Sequence, residues 1–167
     1  MTDCESKIES CYLGEISIST LQKLLGFDQI TIYDFSKELI NIAIHSKNSD
    51  ALHIAFCIFD EYVLEEKDFY LLEVFFFDWH DAHEDIVFTA SQIENCKLVD
   101  FFYKSIFFIP DYLKDDNLRG LARKSFFGLG NNLKCFKAKA YLEFFEKGED
   151  KLLSKYAQEQ FLIHKLR

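Results

Sequence analysis

Asp50-Ala51-Leu52-His53-Ile54-Ala55-Phe56-Cys57-Ile58-Phe59-Asp60 decides the fold, because its opening returns twice further along the chain. Asp85-Ile86-Val87-Phe88-Thr89-Ala90 and Asn117-Leu118-Arg119-Gly120-Leu121-Ala122 again set a small polar residue five positions before an alanine. The three alanines stand 35 and 32 residues apart. A second apolar segment follows each opening, starting near Asp68, Leu98 and Leu133. Two helices per period of about 33 residues is the pattern of an array of α-hairpins. Leu52, Ala55, Phe56, Phe59 and Val63 recur at steps of three and four, and so do Leu118, Leu121, Ala122, Phe126 and Leu129. Residues so spaced share one helical face, and the stripe they form must find a neighbour.

Punctuation agrees with helices. Pro110 is the single proline and there are six glycines, fewer turn residues than an all-β chain of this length needs. Ser49-Asp50, Glu84-Asp85, Asp116-Asn117 and Asp150 stand where helices should begin, and Gly130 and Gly148 where they should stop. The expectation is an all-α chain of stacked antiparallel helical hairpins with about ten helices. They fall near 3–13, 19–25, 31–47, 50–65, 69–79, 84–94, 97–109, 117–129, 132–147 and 150–165. A single helical-repeat domain over 1–167 then comprises N-terminal cap helices (1–48), three hairpin repeats (49–149) and a C-terminal capping helix (150–167). The run from Asp116 to Asn131, with Arg119, Ala122 and a closing Leu129-Gly130, resembles one helix of a HEAT-like repeat. That resemblance implies an α-solenoid and, alone, no function.

Composition excludes several classes. Apolar residues make up 49% of the chain and aromatics 17%, which a disordered acidic tail would lack. No apolar run reaches the roughly 18 residues a membrane span needs, so no membrane partner is expected. The start Met1-Thr2-Asp3-Cys4-Glu5 has no basic-then-apolar leader. Cys4, Cys11, Cys57, Cys96 and Cys135 are odd in number and form no CxxC pair, which reads as reduced thiols in a cytoplasmic protein. Cys57 and Cys135 read as core fillers. A net charge of −9 argues against nucleic acid. The charge is uneven: residues 1–115 hold 22 Asp and Glu against 8 Lys, and residues 116–167 hold 6 against 11 Lys and Arg. Such a field steers charged partners.

Asp78-Trp79-His80-Asp81-Ala82-His83-Glu84-Asp85 is the densest polar run. His80 and His83 with carboxylates beside them make a metal site conceivable. A turn between hairpins, with Glu84 and Asp85 capping the next helix, is the stronger reading, so no metal or cofactor is expected. G-x-S-x-G, HExxH and Gly-rich phosphate loops are missing from the sequence, and the expectation is a binding protein rather than an enzyme. If hairpins stack, the turns between them present Asp78, Trp79, Asp81, Glu84 and Asp85, then Asp111, Tyr112, Asp115 and Asp116, then Glu146, Glu149 and Asp150. Aromatics among carboxylates suit a protein partner. A preference of acids for helix starts accounts for Asp85, Asp116 and Asp150 with no partner at all. It does not account so readily for Trp79, Asp81, Asp111 or Asp115. A second acidic group, Asp60, Glu61, Glu65, Glu66 and Asp68, lies near the opposite turn.

This profile of a short, acidic, helical chain with no catalytic set is similar to small bacterial immunity proteins of contact-dependent growth inhibition and related toxin systems. The resemblance implies binding and neutralising of a basic toxin domain, such as a nuclease, by covering its active surface. The alternative is a general helical-repeat adaptor whose groove, with Lys134, Lys137 and Lys139 at one end, takes an acidic peptide.

Overall fold

The computed structural model describes residues 2–165. Met1, Leu166 and Arg167, which belong to the terminal segments assigned above, lie outside the described residues. All regular structure among the described residues is helical, with no strand, as the repeat spacing requires. The chain gathers into two compact units, Met1–Asp85 and Ile86–Arg167.

Unit 1 holds α1 (Asp3–Tyr12), α2 (Ile18–Leu24), α3 (Ile32–Ser46), α4 (Ser49–Glu61), a 3-10 segment (Glu66–Phe76) and the first turn of α5 (His83–Ser91). Thr2, Ser17, Thr31 and Asn48 each accept a backbone N–H in the first turn of the helix they precede. Lys47, in the left-handed conformation at φ 52°, turns the chain from α3 into α4. Its N–H and that of Asn48 both donate to the Ala43 carbonyl, closing α3. The hairpin buries Phe35, Leu39, Ile40 and Ala43 from α3 against Leu52, Ala55, Phe56 and Phe59 from α4, none more than 1% exposed. A buried Val, Leu, Ile or Phe is worth about 1.5–3 kcal/mol, so this seam is the main source of the unit's stability.

Three expectations fail here. α4 ends at Glu61, so Val63 leaves the stripe and is 72% exposed, and Cys57 faces outward rather than filling the core. The stretch expected as a helix over 69–79 is the 3-10 segment Glu66–Phe76. Its buried residues, Asp68, Leu71 and Val74 with Leu72 and Phe75, recur at steps of three, which a helix of three residues per turn places on one side. Tyr33 on α3 fastens it: the hydroxyl donates to Asp68 at 2.7 Å and accepts from the Glu65 N–H at 3.0 Å.

Unit 2 holds the rest of α5, a 3-10 turn (Cys96–Leu98) leading into α6 (Val99–Ser105), a 3-10 turn (Asp111–Leu113), α7 (Gly120–Asn131), α8 (Phe136–Glu146) and α9 (Lys151–Lys165). α7 packs on α6, α8 and α9 and brings Leu121, Ala122, Phe126 and Leu129 into the core. Leu118 precedes the helix, which starts at Gly120, and is 71% exposed instead of joining that stripe. Gly130 does not stop α7, which runs through it to Asn131. Gly128 and Gly130 serve close approach. A Cβ at Gly128 would lie 2.6 Å from Cζ of buried Phe102, and one at Gly130 would meet Gln160 and His164.

Cys96 and Cys135 are joined in a disulfide, which overturns the reading of them as reduced thiols. The bond ties the turn before α6 to the start of α8 across a separation of 39 residues. Closing a loop of that size limits the unfolded chain by about 4 kcal/mol on the entropic account. Cys4, Cys11 and Cys57 remain thiols. No helix among the described residues is long and apolar enough to cross a membrane.

Replacing Gly128 with Ala drives a methyl group into the buried Phe102 ring. The variant should lose about 1–3 kcal/mol of stability, read from its urea-unfolding midpoint. An unchanged midpoint contradicts the close approach of α6 and α7.

Candidate functional site

Ser49, His53 and Cys57 follow one another at four-residue steps on α4 and share a face. That face meets Asp81, just before α5, and Asp85 in its first turn. His53 Nδ1 lies 2.6 Å from Asp85 and Nε2 lies 3.1 Å from Asp81. The Ser49 hydroxyl donates to Asp81 and accepts the Asp81 N–H at 3.3 Å. A carboxylate can only accept, so both ring nitrogens must donate, and only the imidazolium does that. The Asp85 carboxylate accordingly raises the pKa of His53 above its usual value, against the opposing effect of burial. Asp81 is held below the usual carboxylate range by the Ser49 hydroxyl first and by His53 next. A thiol beside this cluster, Cys57, is pushed up by burial and by Asp85, which disfavours it as a nucleophile.

Other acids gather near the start of α4. α1 packs on α4, and the Tyr12 ring lies 5.4 Å from that of His53. Glu5, Glu9, Asn48 and Asp50 line one open pocket of about 350 Å³. Unit 1 as a whole carries 18 Asp and Glu against 5 Lys, whereas unit 2 carries 10 against 14 Lys and Arg. The field of each unit is therefore of opposite sign.

Burial gives the next two histidines the opposite state. His80 and His83 are at most 4% exposed and stack with ring centroids 4.1 Å apart. His80 Nε2 donates to the Val74 carbonyl at 2.8 Å and His83 Nε2 to that of Phe77 at 3.0 Å. His80 Nδ1 is buried with no hydrogen-bond partner among the described residues, a position that tolerates a lone pair but not a second N–H. Desolvation lowers both pKa values, that of His83 to about 4. The pair pins the turn at 77–83 as a neutral stack. Among the described residues, no group of three or more His, Cys, Asp or Glu converges as a metal-ligand set would.

The residues expected at an interface divide between the units. In unit 1, Asp78 is exposed, Glu84 and Asp85 are half-buried, and Asp81 is exposed but engaged by Ser49 and His53. Trp79 is half-buried, lying 6.3 Å from Phe77 and 5.0 Å from His80 by ring centroid, rather than standing free. In unit 2, Asp111, Tyr112 and Asp115 are exposed, while Asp116 turns inward to accept from the N–H groups of Leu118 at 3.0 Å and Gly120 at 2.5 Å. Asp68, counted above with a second acidic group, is buried against Tyr33. The lysines proposed for a basic groove are paired, Lys134 with Glu94 at 3.1 Å, Lys137 with Asp100 at 2.6 Å and Lys139 with Glu143 at 3.8 Å.

Sequence reading missed His53, Ser49, Glu5, Glu9 and Asp50. The signal for the first two was the period itself. Ser49 to Asp81 and His53 to Asp85 are both 32 residues apart, close to the period of about 33 read from the sequence.

The pH dependence follows from these states. For His80 and His83 the folded pKa lies below the unfolded value near 6.5, so their contribution is complete above that pH. It is lost as pH falls towards about 4, and the His83 shift corresponds to roughly 3 kcal/mol. His53 has the opposite sign: its contribution is complete below about 6.5 and is lost as pH rises through its raised folded pKa. Urea unfolding of unit 1 should therefore occur at progressively lower concentration from pH 6.5 to 4.5. A midpoint that stays flat across that window contradicts the buried neutral pair.

Comparison with protein families, with curated proteins and with solved structures finds no match for this chain.

Proposed function

We propose that this chain is a non-catalytic immunity protein that binds a cationic toxin domain and blocks its working surface. The observation that carries the reading is the concentration of negative charge in unit 1, where 18 acids face 5 lysines. Asp81 and Asp85 are fixed there by His53, and Glu5, Glu9 and Asp50 stand around the start of α4. A protein gains nothing in stability from such an excess, since like charges repel in the compact state. A positive partner relieves it.

A nuclease is the toxin class that fits this chemistry best. It must present Lys and Arg to phosphates, and an acidic surface competes for the same cations. Fixed carboxylates serve this better than mobile ones, because less side-chain freedom is lost on binding. An array of α-hairpins, the arrangement suggested by the alanines at 55, 90 and 122, would display such groups on successive turns. The reading places the encounter in the cytoplasm, where the Cys96–Cys135 bond would be exposed to reduction. The adaptor alternative would draw on Lys134, Lys137 and Lys139, which lie in exposed pairs with Glu94, Asp100 and Glu143 and would exchange those partners for an acidic peptide.

Testing needs charge changes that spare the His53 cluster. Glu9→Lys combined with Asp78→Lys alters two exposed acids and should leave the thermal midpoint nearly unchanged. Against a basic toxin domain encoded beside the gene, association should slow at least tenfold at low salt, and the wild-type rate should fall steeply with ionic strength. A wild-type chain that fails to bind that domain, or binds it at a rate indifferent to salt and to both substitutions, overturns the reading.

A further inference from the structure

Unit 2 carries a pocket of about 310 Å³ that none of the preceding chemistry uses. Buried Ile106, Pro110, Leu121 and Ala122 line it, with half-buried Leu113 and Leu152. The volume is at the small end of the roughly 300–1,000 Å³ range of ligand pockets. A water molecule takes about 30 Å³ in the liquid, so the space holds roughly ten heavy atoms. It suits a small organic molecule with an apolar body.

The polar part of the lining decides what else that molecule carries. It consists of Lys114, Asp116, Asn117 and Arg119. Each oxygen of Asp116 already accepts a backbone N–H, one from Leu118 at 3.0 Å and the other from Gly120 at 2.5 Å. The cations keep donors to spare, since a lysine has three N–H groups and an arginine five. Asp111 lies 2.9 Å from Lys114 Nζ, and Asp150 accepts from Nη1 of Arg119 at 2.7 Å. Both pairs are exposed, and neither of these two acids lines the pocket. Exposed pairs are worth little and yield readily to a competing acceptor. The lining therefore offers a ligand mainly donors. The group they fit best is a carboxylate, which a guanidinium can hold through two parallel bonds.

Arg119 is also fixed in advance. It sits in the left-handed conformation at φ 47°, between the Leu118 and Gly120 N–H groups that Asp116 holds. The Leu118 carbonyl before it accepts the Tyr156 hydroxyl. A non-glycine residue keeps that conformation only where its surroundings enforce it, and such positions gather at binding sites. A backbone already ordered loses less freedom when a ligand docks. Leu121 and Ala122 belong to the first turn of α7, whose N-terminal dipole adds to the attraction for an anion.

We infer that this pocket binds a small carboxylate with an apolar body of about eight carbons. The body rests on Ile106, Leu121 and Leu152, and the carboxylate on Arg119 and Lys114. The site shares no residue with the acidic surface proposed in unit 1, so either reading stands without the other.

Octanoate is the probe, titrated into the full chain while the methyl signals of Leu113, Leu121 and Leu152 are followed by NMR. Saturable shifts of those methyls are expected. Phenylpropanoate, of similar size, should shift the same methyls, and the tighter of the two shows whether a linear or an aromatic body fits. Butanoate, shorter by four methylenes, should bind at least about tenfold more weakly. Octylammonium, of opposite charge, should be weaker by about the same factor. Arg119→Asn removes the guanidinium and keeps a residue that tolerates the left-handed conformation. It should weaken octanoate about tenfold and leave octanol, which probes the apolar body alone, within about twofold. Lys114→Gln, at an exposed side chain, gives the same contrast should Arg119→Asn not fold. No saturable shifts, equal binding of octylammonium, or octanoate affinity indifferent to both substitutions overturns the inference. So does a loss of octanol equal to that of octanoate in a folded variant.

Discussion

His53 between Asp81 and Asp85 is the contact on which the acidic half of this chain depends. Two carboxylates so close to each other, in a unit with an excess of negative charge, would repel without a cation between them. The imidazolium supplies that cation from α4, and Ser49 one turn earlier adds a hydroxyl to the same carboxylate. The turn before α5 is thereby fastened to α4 by charge and hydrogen bonds, and the acids of the turn acquire fixed positions. A lysine in place of His53 would offer a point charge on a flexible stem and could not bond both partners from a rigid ring.

A short distance along the chain, the same residue type does the reverse. His80 and His83 are shut away from water, stacked on each other and bonded to carbonyls, and burial keeps them neutral. What separates these cases is the company each ring keeps: carboxylates for one, carbonyls and a neighbouring ring for the others. The turn at 77–85 is held on one side by charge and on the other by desolvation, and these respond to pH in opposite directions. Unit 2 adds other ties to its apolar core. These are a disulfide, the close approaches at Gly128 and Gly130, and the amides of Asn131 and Asn132, which donate to the carbonyls of Ser91 at the end of α5 and of Ile93 just beyond it.

Much of this was legible in the sequence, and what was not has physical causes. Ala55, Ala90 and Ala122 are all buried, in α4, α5 and α7, because small residues recurring at helix spacing report close packing. Short-range rules of the same kind placed nearly every helix to within a few residues. The 3-10 segment at Glu66–Phe76 escaped them, since its apolar residues fit a period of three or of 3.6 over so short a run. Gly130 was misread because a glycine between apolar residues signals either a stop or a close approach, and only the neighbour decides. Cys96 and Cys135, like His53 and Asp85, are partners more than thirty residues apart, and no local pattern announces such a contact. Of the expected interface residues, the exposure of Asp78, Asp111, Tyr112 and Asp115 could be read from their position in turns, and Asp116, read as a helix-start acid, does accept the N–H groups of Leu118 and Gly120.

The measurement that bears most directly on this account is an NMR titration of the imidazole signals of His53, His80 and His83 in the intact chain. The account predicts that His53 stays protonated to a pH above its ordinary 6.5, with both ring nitrogens carrying hydrogen. It predicts that His80 and His83 stay neutral, with hydrogen on Nε2, well below that pH, His83 down to about 4. Three histidines titrating together near 6.5 would mean that no cation holds Asp81 and Asp85 in place and that the turn carrying them is not built as described.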